Sequence, residues 1–185
     1  VEIMHVADTE QAVSALFQRL RTQYDLILTT GGVSVGDYDF VRPVALKIGF
    51  EQLFWKVKQK PGKPMFFAKS ELPDQNPCYL LGLPGNPAAV YIAMQIYVST
   101  LISTVQGQKQ LPQWFSAVIS HDLKVDSRER FLRMALSFDS GMLKLSSLPK
   151  QQSHMLSNLM QANCIVRIPA AQSIQAGQIL QGLFI

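Results

Sequence analysis

Cysteine is scarce in this chain: two among 185 residues, Cys78 and Cys164, standing 86 positions apart. That spacing offers no C-x-x-C metal pair and no disulfide scaffold, so a reducing, cytoplasmic compartment is the expectation. Histidine is equally sparse, and His5, His121 and His154 lie too far apart for a protein zinc site to be expected. Charge of one sign is missing too, since no block of like charge runs five residues and the net charge is only +4, which argues against a nucleic-acid partner. The nucleophile elbow Gly-x-Ser-x-Gly is absent, as are the dinucleotide fingerprint and the Walker pattern. The start, Val1-Glu2-Ile3-Met4-His5, has no basic region ahead of an apolar run, so no signal peptide is expected. It also has no initiator methionine, which suggests a piece cut from a longer chain.

Residues 88–105, eighteen positions without a charge, could be mistaken for a membrane span. Gln95, Ser99, Thr100, Ser103 and Thr104 recur through it, and the only nearby cation is Lys109 on one side. A buried helix, and no membrane partner, is therefore expected.

What is there is apolar enough to build a core. Hydrophobic residues make up 48% and charged ones 16%, which excludes a disordered tail. Residues 1–106 carry nine basic and nine acidic side chains, and residues 107–185 carry eight and four, so the positive surplus sits in the C-terminal part.

The order of patterns predicts two architectures in sequence. A strand over residues 2–6 leads to a helix capped by Asp8, with Val13, Leu16, Phe17 and Leu20 forming one apolar stripe. Residues 26–28 read as a strand buried on both faces, as in a parallel sheet. A second helix follows over about residues 40–48, with Pro43 in its first turn and Gly49 as its stop. A hairpin is predicted next, turning at Lys60-Pro61-Gly62-Lys63, then an apolar strand at 78–83 and the helix 88–105. These strands and helices imply an α/β fold with an open, mostly parallel sheet over residues 1–108. From residue 109 the runs 114–120, 130–137, 142–147, 164–168 and 178–184 predict a small all-β, barrel-like domain, with a polar linker at 106–112 between the two.

Three groups of residues can carry chemistry. Gly31-Gly32-Val33-Ser34-Val35-Gly36-Asp37-Tyr38-Asp39 follows a buried strand and precedes a helix. Ligands of open α/β sheets bind at such a place, where glycines let backbone N–H groups approach a phosphate. Spacing alone leaves a tight structural turn equally open. Asp37 and Asp39 place carboxylates beside it, as Mg²⁺ next to a phosphate requires, although Asp39 could equally cap the helix. The second group is lysine-rich: Lys56, Lys58, Lys60, Lys63 and Lys69 fall within residues 52–70 without an acid. Protection of an edge strand would explain Lys56 and Lys58, whereas Lys60 and Lys63, flanking Pro61-Gly62, suit an anion. The third is Pro84-Gly85-Asn86-Pro87, a rigid turn that shapes a cleft or simply reverses the chain.

Taken together, Thr30–Asp39, Phe54-Trp55-Lys56, Lys60-Pro61-Gly62-Lys63-Pro64 and Gly82-Leu83-Pro84-Gly85-Asn86-Pro87 resemble the molybdopterin molybdotransferase family, related to the C-terminal region of gephyrin. Arg128-x-x-Phe131-x-Arg133, Gln152–Ser157 and Ala162–Val166 extend the resemblance over the second part. The resemblance implies an enzyme that joins molybdenum from molybdate to adenylylated molybdopterin, with Mg²⁺ and release of AMP. It implies that Gly31, Gly32, Ser34 and Gly36 line the pterin and phosphate cleft, that Asp39 is the acidic site residue with Asp37 beside it at the metal, and that Lys56, Lys60 and Lys63 hold molybdate or phosphate. Pro84, Gly85, Asn86 and Pro87 would shape the cleft, and Ser153 and His154 would approach from the β domain. A homodimer in the full-length form and contact with other molybdenum cofactor biosynthesis proteins are also implied. Measured against the family, the chain begins partway into the α/β domain, and on that ground this piece is expected to be inactive alone. The rival expectation is a non-catalytic, gephyrin-like scaffold; a nucleotide-cleaving relative sharing only the α/β domain is disfavoured by the β-rich second part.

Overall fold

The structure, a computed structural model, describes residues 1–33, 36, 39–108, 112–149, 151 and 157–185. In chain order its elements are α1 (Glu10–Leu20), β1 (Leu26–Thr30), α2 (Val41–Lys47), β2 (Glu51–Trp55), β3 (Gln59–Lys60), β4 (Phe66–Ser70) and β5 (Cys78–Leu83). Then come α3 (Pro87–Ala93), a π-helical stretch (Met94–Val98), α4 (Ser99–Val105), β6 (Phe115–Ile119), β7 (Glu129–Asp139), β8 (Met142–Ser147), a 3₁₀ turn (Ser157–Met160), β9 (Cys164–Ile168) and β10 (Ile179–Phe184). They form two compact units: Val1–Val57 with Gly62–Asn86, and Lys58–Pro61 with Pro87–Ile185.

In the first unit the cap of α1 falls one residue later than the predicted Asp8. Thr9 is the cap: its backbone is extended and its Oγ1 accepts the Ala12 N–H at 3.3 Å, which satisfies one of the helix's free donors. The predicted stripe faces the core, with Val13, Phe17 and Leu20 buried and Leu16 packed beside them. The strand expected over residues 2–6 does not form. Among the described residues no strand pairs with that stretch; instead Met4 packs on the core and Glu2 accepts a hydrogen bond from the Tyr24 hydroxyl.

The sheet of this unit has the order β1-β5-β4-β2. It is mixed: β1 and β5 run parallel, while β4 is antiparallel to both β5 and β2. The parallel share is confined to β1–β5 because β2, β4 and β5 follow one another without a crossover helix. β1 ends the sheet, so Ile27 meets the core beneath α1 and α2 while Leu28, on the other face, is 39% exposed. Burial on both faces was expected for Leu28. α2 behaves as predicted, with Pro43 in its first turn and Gly49 turning out of it at a φ of +93°.

The hairpin of β2 and β4 forms, but its connection does more than turn. Gln59 and Lys60 leave as β3 and pair in parallel with Glu129 and Arg130 of β7, inside the second unit. There β7, β8, β6, β10 and β9 pair in turn, and β9 returns to β7, which closes a five-stranded barrel. Each of the five predicted apolar runs is one of these strands. Closure removes the unpaired edges that an open five-stranded sheet would expose. Ala117, Ile119, Met134, Leu145, Cys164, Val166, Ile168 and Leu180 fill the barrel.

The helical stretch Pro87–Val105 is long and apolar enough to cross a membrane. Only its beginning matches the expectation of a buried helix: Ala88, Ala89, Ile92, Ala93 and Val98 are buried, and nothing from Ser99 onward is. Its polar side chains fold back on the helix, the hydroxyls of Ser99, Thr100 and Thr104 donating to the carbonyls of Gln95, Ile96 and Thr100.

Candidate functional site

In the first unit two loops meet at the carboxyl ends of the parallel pair. The Gly31 N–H donates to the Leu83 carbonyl at 2.9 Å, which continues the β1–β5 ladder one step beyond the strands. Gly31 and Gly32 then turn with φ of +96° and +68°, a region open to glycine at little cost. A Cβ at Gly85 would stand 3.7 Å from the Gly31 Cα, so the loop after β5 packs on the loop after β1. Pro84 is buried beneath this contact, while Gly85 is exposed.

Val33 anchors the glycine loop. It is 1% exposed, and a Cβ at Gly82 would fall 2.5 Å from its Cγ1, so only glycine in β5 leaves room for it. Trp55, at the end of β2, reaches the same residue, its indole N–H donating to the Val33 carbonyl at 3.4 Å. Farther along, the Gly36 N–H donates to Oδ2 of Asp39 at 2.7 Å and the Asp39 N–H returns to the Gly36 carbonyl at 3.0 Å. Asp39 therefore closes the loop on itself. It does not cap α2, whose cap position is Phe40 with no side-chain hydrogen bond.

Lys56 stands in the left-handed region with φ of 65°, unusual for a side chain of its size. Its N–H is fixed to the Met65 carbonyl at 2.8 Å, and its ammonium lies 3.9 Å from the centre of the Trp55 ring. Arg42 of α2 brings its guanidinium to 4.0 Å of the same centre. Lys63 is exposed, its carbonyl taking the Val57 N–H. Lys69 is engaged by carboxylates, at 3.0 Å from Glu71 and 3.4 Å from Glu51, which raise its pKa.

Lys60, expected to project with Lys63, belongs to the second unit. Its Nζ donates to Asp126 Oδ2 at 3.0 Å, and Asp126 Oδ1 accepts the Arg128 N–H at 3.0 Å, with the Arg128 side chain 3.8 Å away. The Lys60 hydrogen bond, followed by that of Arg128, holds the Asp126 carboxyl below the usual carboxylate range. Asp126 is one residue that sequence reasoning missed. Its signal was Asp126-Ser127-Arg128, a side chain able to accept the N–H two residues on. Pro87, exposed, opens α3 in this unit. Ser34, Asp37, Ser153 and His154 lie outside the described residues.

For a metal, the described residues offer little of their own. No group of three or more His, Cys, Asp or Glu side chains lies together among them, and one oxygen of Asp39 is already committed to Gly36. Such a site fits only the way Mg²⁺ is held by one carboxylate with substrate oxygens and water.

The fold and the two loops define a class: an α/β domain with a glycine loop and a proline loop meeting at the carboxyl ends of its parallel strands, followed by a five-stranded barrel. Residues 1–104 match the family described as "Probable molybdopterin binding domain", and residues 116–183 match "MoeA C-terminal region (domain IV)". The chain belongs to the molybdopterin-binding family and carries the MoeA C-terminal region. It is 33% identical to a molybdopterin molybdenumtransferase of Haemophilus influenzae over 96% of this chain and 44% of that one. It is 31% identical to the molybdenum cofactor synthesis protein cinnamon of Drosophila melanogaster, over 89% of this chain and 26% of that one. The chain thus spans less than half the length of these relatives. Its fold is that of a molybdenum cofactor biosynthesis protein from Pyrococcus furiosus, with a TM-score of 0.71 at 20% identity, over 97% of this chain and 56% of that one.

Proposed function

We propose that this chain acts in molybdenum cofactor biosynthesis, as part of an enzyme that inserts molybdenum from molybdate into adenylylated molybdopterin and releases AMP. The observation that carries the reading is the contact of the glycine loop with the Pro84-Gly85 loop beyond β1 and β5. A backbone without side chains there lets a phosphorylated ligand come within reach of N–H donors.

In this reading Gly31, Gly32 and Gly36 line the pterin and phosphate cleft with Ser34, and Pro84, Gly85, Asn86 and Pro87 shape its wall. Lys56 and Lys63 supply cations for molybdate or phosphate, because an oxyanion taken out of water needs charge-assisted donors, whereas the Lys60 ammonium is held by Asp126 in the second unit. Ser153 and His154 are proposed as ligand-binding residues on the family resemblance alone. Asp39, with Asp37, would hold Mg²⁺, which when bound neutralises phosphate charge. The cytoplasm is the proposed compartment, and a homodimer of the longer chain, meeting other proteins of the same biosynthesis, its proposed assembly. The boundary between the two sequence domains is proposed at residues 108 and 109.

Equilibrium titration of the 185-residue chain with molybdopterin, with and without Mg²⁺ and molybdate, tests this. Binding that strengthens with Mg²⁺, and loses that Mg²⁺ response in Asp39→Ala, is the expected result. A folded chain that binds no molybdopterin under any of these conditions contradicts it.

A further inference from the structure

Among the described residues, Arg42 and Lys56 are brought together without a counter-charge. Elsewhere in the first unit Lys47 and Lys69 are paired with carboxylates. Arg42 and Lys56, among the described residues, have no carboxylate within 4 Å; their cationic groups instead lie 4.0 and 3.9 Å from the centre of one ring, that of Trp55. The two charges are therefore no more than about 8 Å apart, a separation at which like charges repel. The attraction of each cation for the ring face offsets that repulsion and leaves the pair with an excess of positive charge.

The backbone is arranged to hold this pair. Lys56 keeps its left-handed φ through the hydrogen bond to Met65, and backbone conformations of this kind persist where the surroundings over-determine them and cluster at ligand sites. Gln52 takes the Arg42 Nε–H at 2.9 Å, which orients the guanidinium. The Trp55 indole N–H ties the ring to Val33, the anchor of the glycine loop.

We propose that Arg42, Trp55 and Lys56 form a second oxyanion subsite beside the glycine loop, which takes a phosphoryl group of the ligand. The group sits at the rim of the indole, the positive part of the ring's quadrupole, between the two cations. Trp55 is a positioning residue, and Arg42 and Lys56 are the binding groups. The subsite deepens the reading of the glycine loop as a phosphate-binding cleft and rests on it; its phosphoryl group comes from either the pterin or the nucleotide.

The chain has two tryptophans, Trp55 and Trp114, so in a Trp114→Phe background indole fluorescence reports on this ring alone. Titration with inorganic pyrophosphate is expected to change that emission with saturation. Arg42→Gln and Lys56→Gln each weaken the affinity by about tenfold, Arg42→Lys retains most of it, and Lys69→Gln, whose ammonium is engaged by Glu51 and Glu71, leaves it unchanged. Displacement of pyrophosphate by AMP identifies the nucleotide as the source, and displacement by molybdopterin the pterin. No saturable change, or equal weakening by Lys69→Gln and Arg42→Gln, overturns the subsite. Molybdopterin binding by the parent chain is followed in parallel by equilibrium dialysis. If it persists while pyrophosphate has no effect on Trp55, the subsite falls and the functional reading stands; if it is absent while pyrophosphate binding depends on Arg42, the functional reading falls and the subsite stands.

Discussion

The Gly36 N–H and the Asp39 carboxylate oxygen Oδ2 stand 2.7 Å apart. This bond closes the loop that Gly31 and Gly32 open, and the proposed function gives the carboxylate a second task, the holding of Mg²⁺. The two tasks are separable. Asp39→Asn keeps an acceptor for Gly36 and removes the charge, whereas Asp39→Ala removes both. Asparagine is therefore expected to retain the stability of the parent and lose the Mg²⁺ response of molybdopterin binding, while alanine is expected to cost about 1 kcal/mol as well. Urea denaturation beside the binding titration distinguishes the two variants.

The close approach of Gly82 to Val33 makes a packing prediction. A methyl group at Gly82 would lie 2.5 Å from Val33 Cγ1, against a side chain that is itself 1% exposed. Gly82→Ala should destabilise the chain by about 1–3 kcal/mol through overpacking. Adding Val33→Ala should restore part of that loss, since it vacates the contested space. A double-mutant cycle by urea denaturation measures the coupling; strict additivity would mean that the two residues do not compete for space.

Asp126 gives a pH signature to the second unit. Its pKa is lowered in the folded chain, first by the Lys60 hydrogen bond. A depressed carboxyl contributes stability above its unfolded pKa of about 3.9 and loses it as the pH falls through the lower folded value. Parent and Asp126→Asn should accordingly differ in urea midpoint by a constant amount from pH 6 to 8, and the gap should close in the acid range below about pH 4. A gap that persists unchanged at the acid end would contradict the ion-pair assignment.

The two cysteines should be silent in the native state. Both are buried, and burial pushes the thiols of Cys78 and Cys164 up to about 11, so little of the reactive thiolate exists at pH 8. Ellman's reagent is expected to label neither in the folded chain and both in denaturant. Rapid native labelling of one would show that its surroundings open.

Much of this fold is written in local pattern. The stripe Val13, Leu16, Phe17, Leu20 and the five apolar runs of the barrel were legible because one face of each element meets a core. What was illegible depends on partners far away in sequence. Nothing in Gln59-Lys60 announces a strand, since its partner is Glu129-Arg130, and nothing in residues 2–6 announces that, among the described residues, no strand pairs with them. For the site, the glycine loop and the prolines could be read from turn chemistry, and their family resemblance supplied the ligand. The roles of Arg42 and Trp55 could not be read, because they arise only when α2 and the end of β2 meet across the unit.

The proposed site is tested most directly by locating the amides that respond to molybdopterin. Amide chemical-shift mapping by NMR, with ¹⁵N-labelled chain and rising molybdopterin, answers that. The predicted result is that the largest shifts fall on the amides of Gly31, Gly32, Gly36 and Gly85, with the Trp55 indole N–H following. Shifts confined to the barrel strands, with these glycines unmoved at saturation, would contradict the assignment of the loops beyond β1 and β5 as the ligand site.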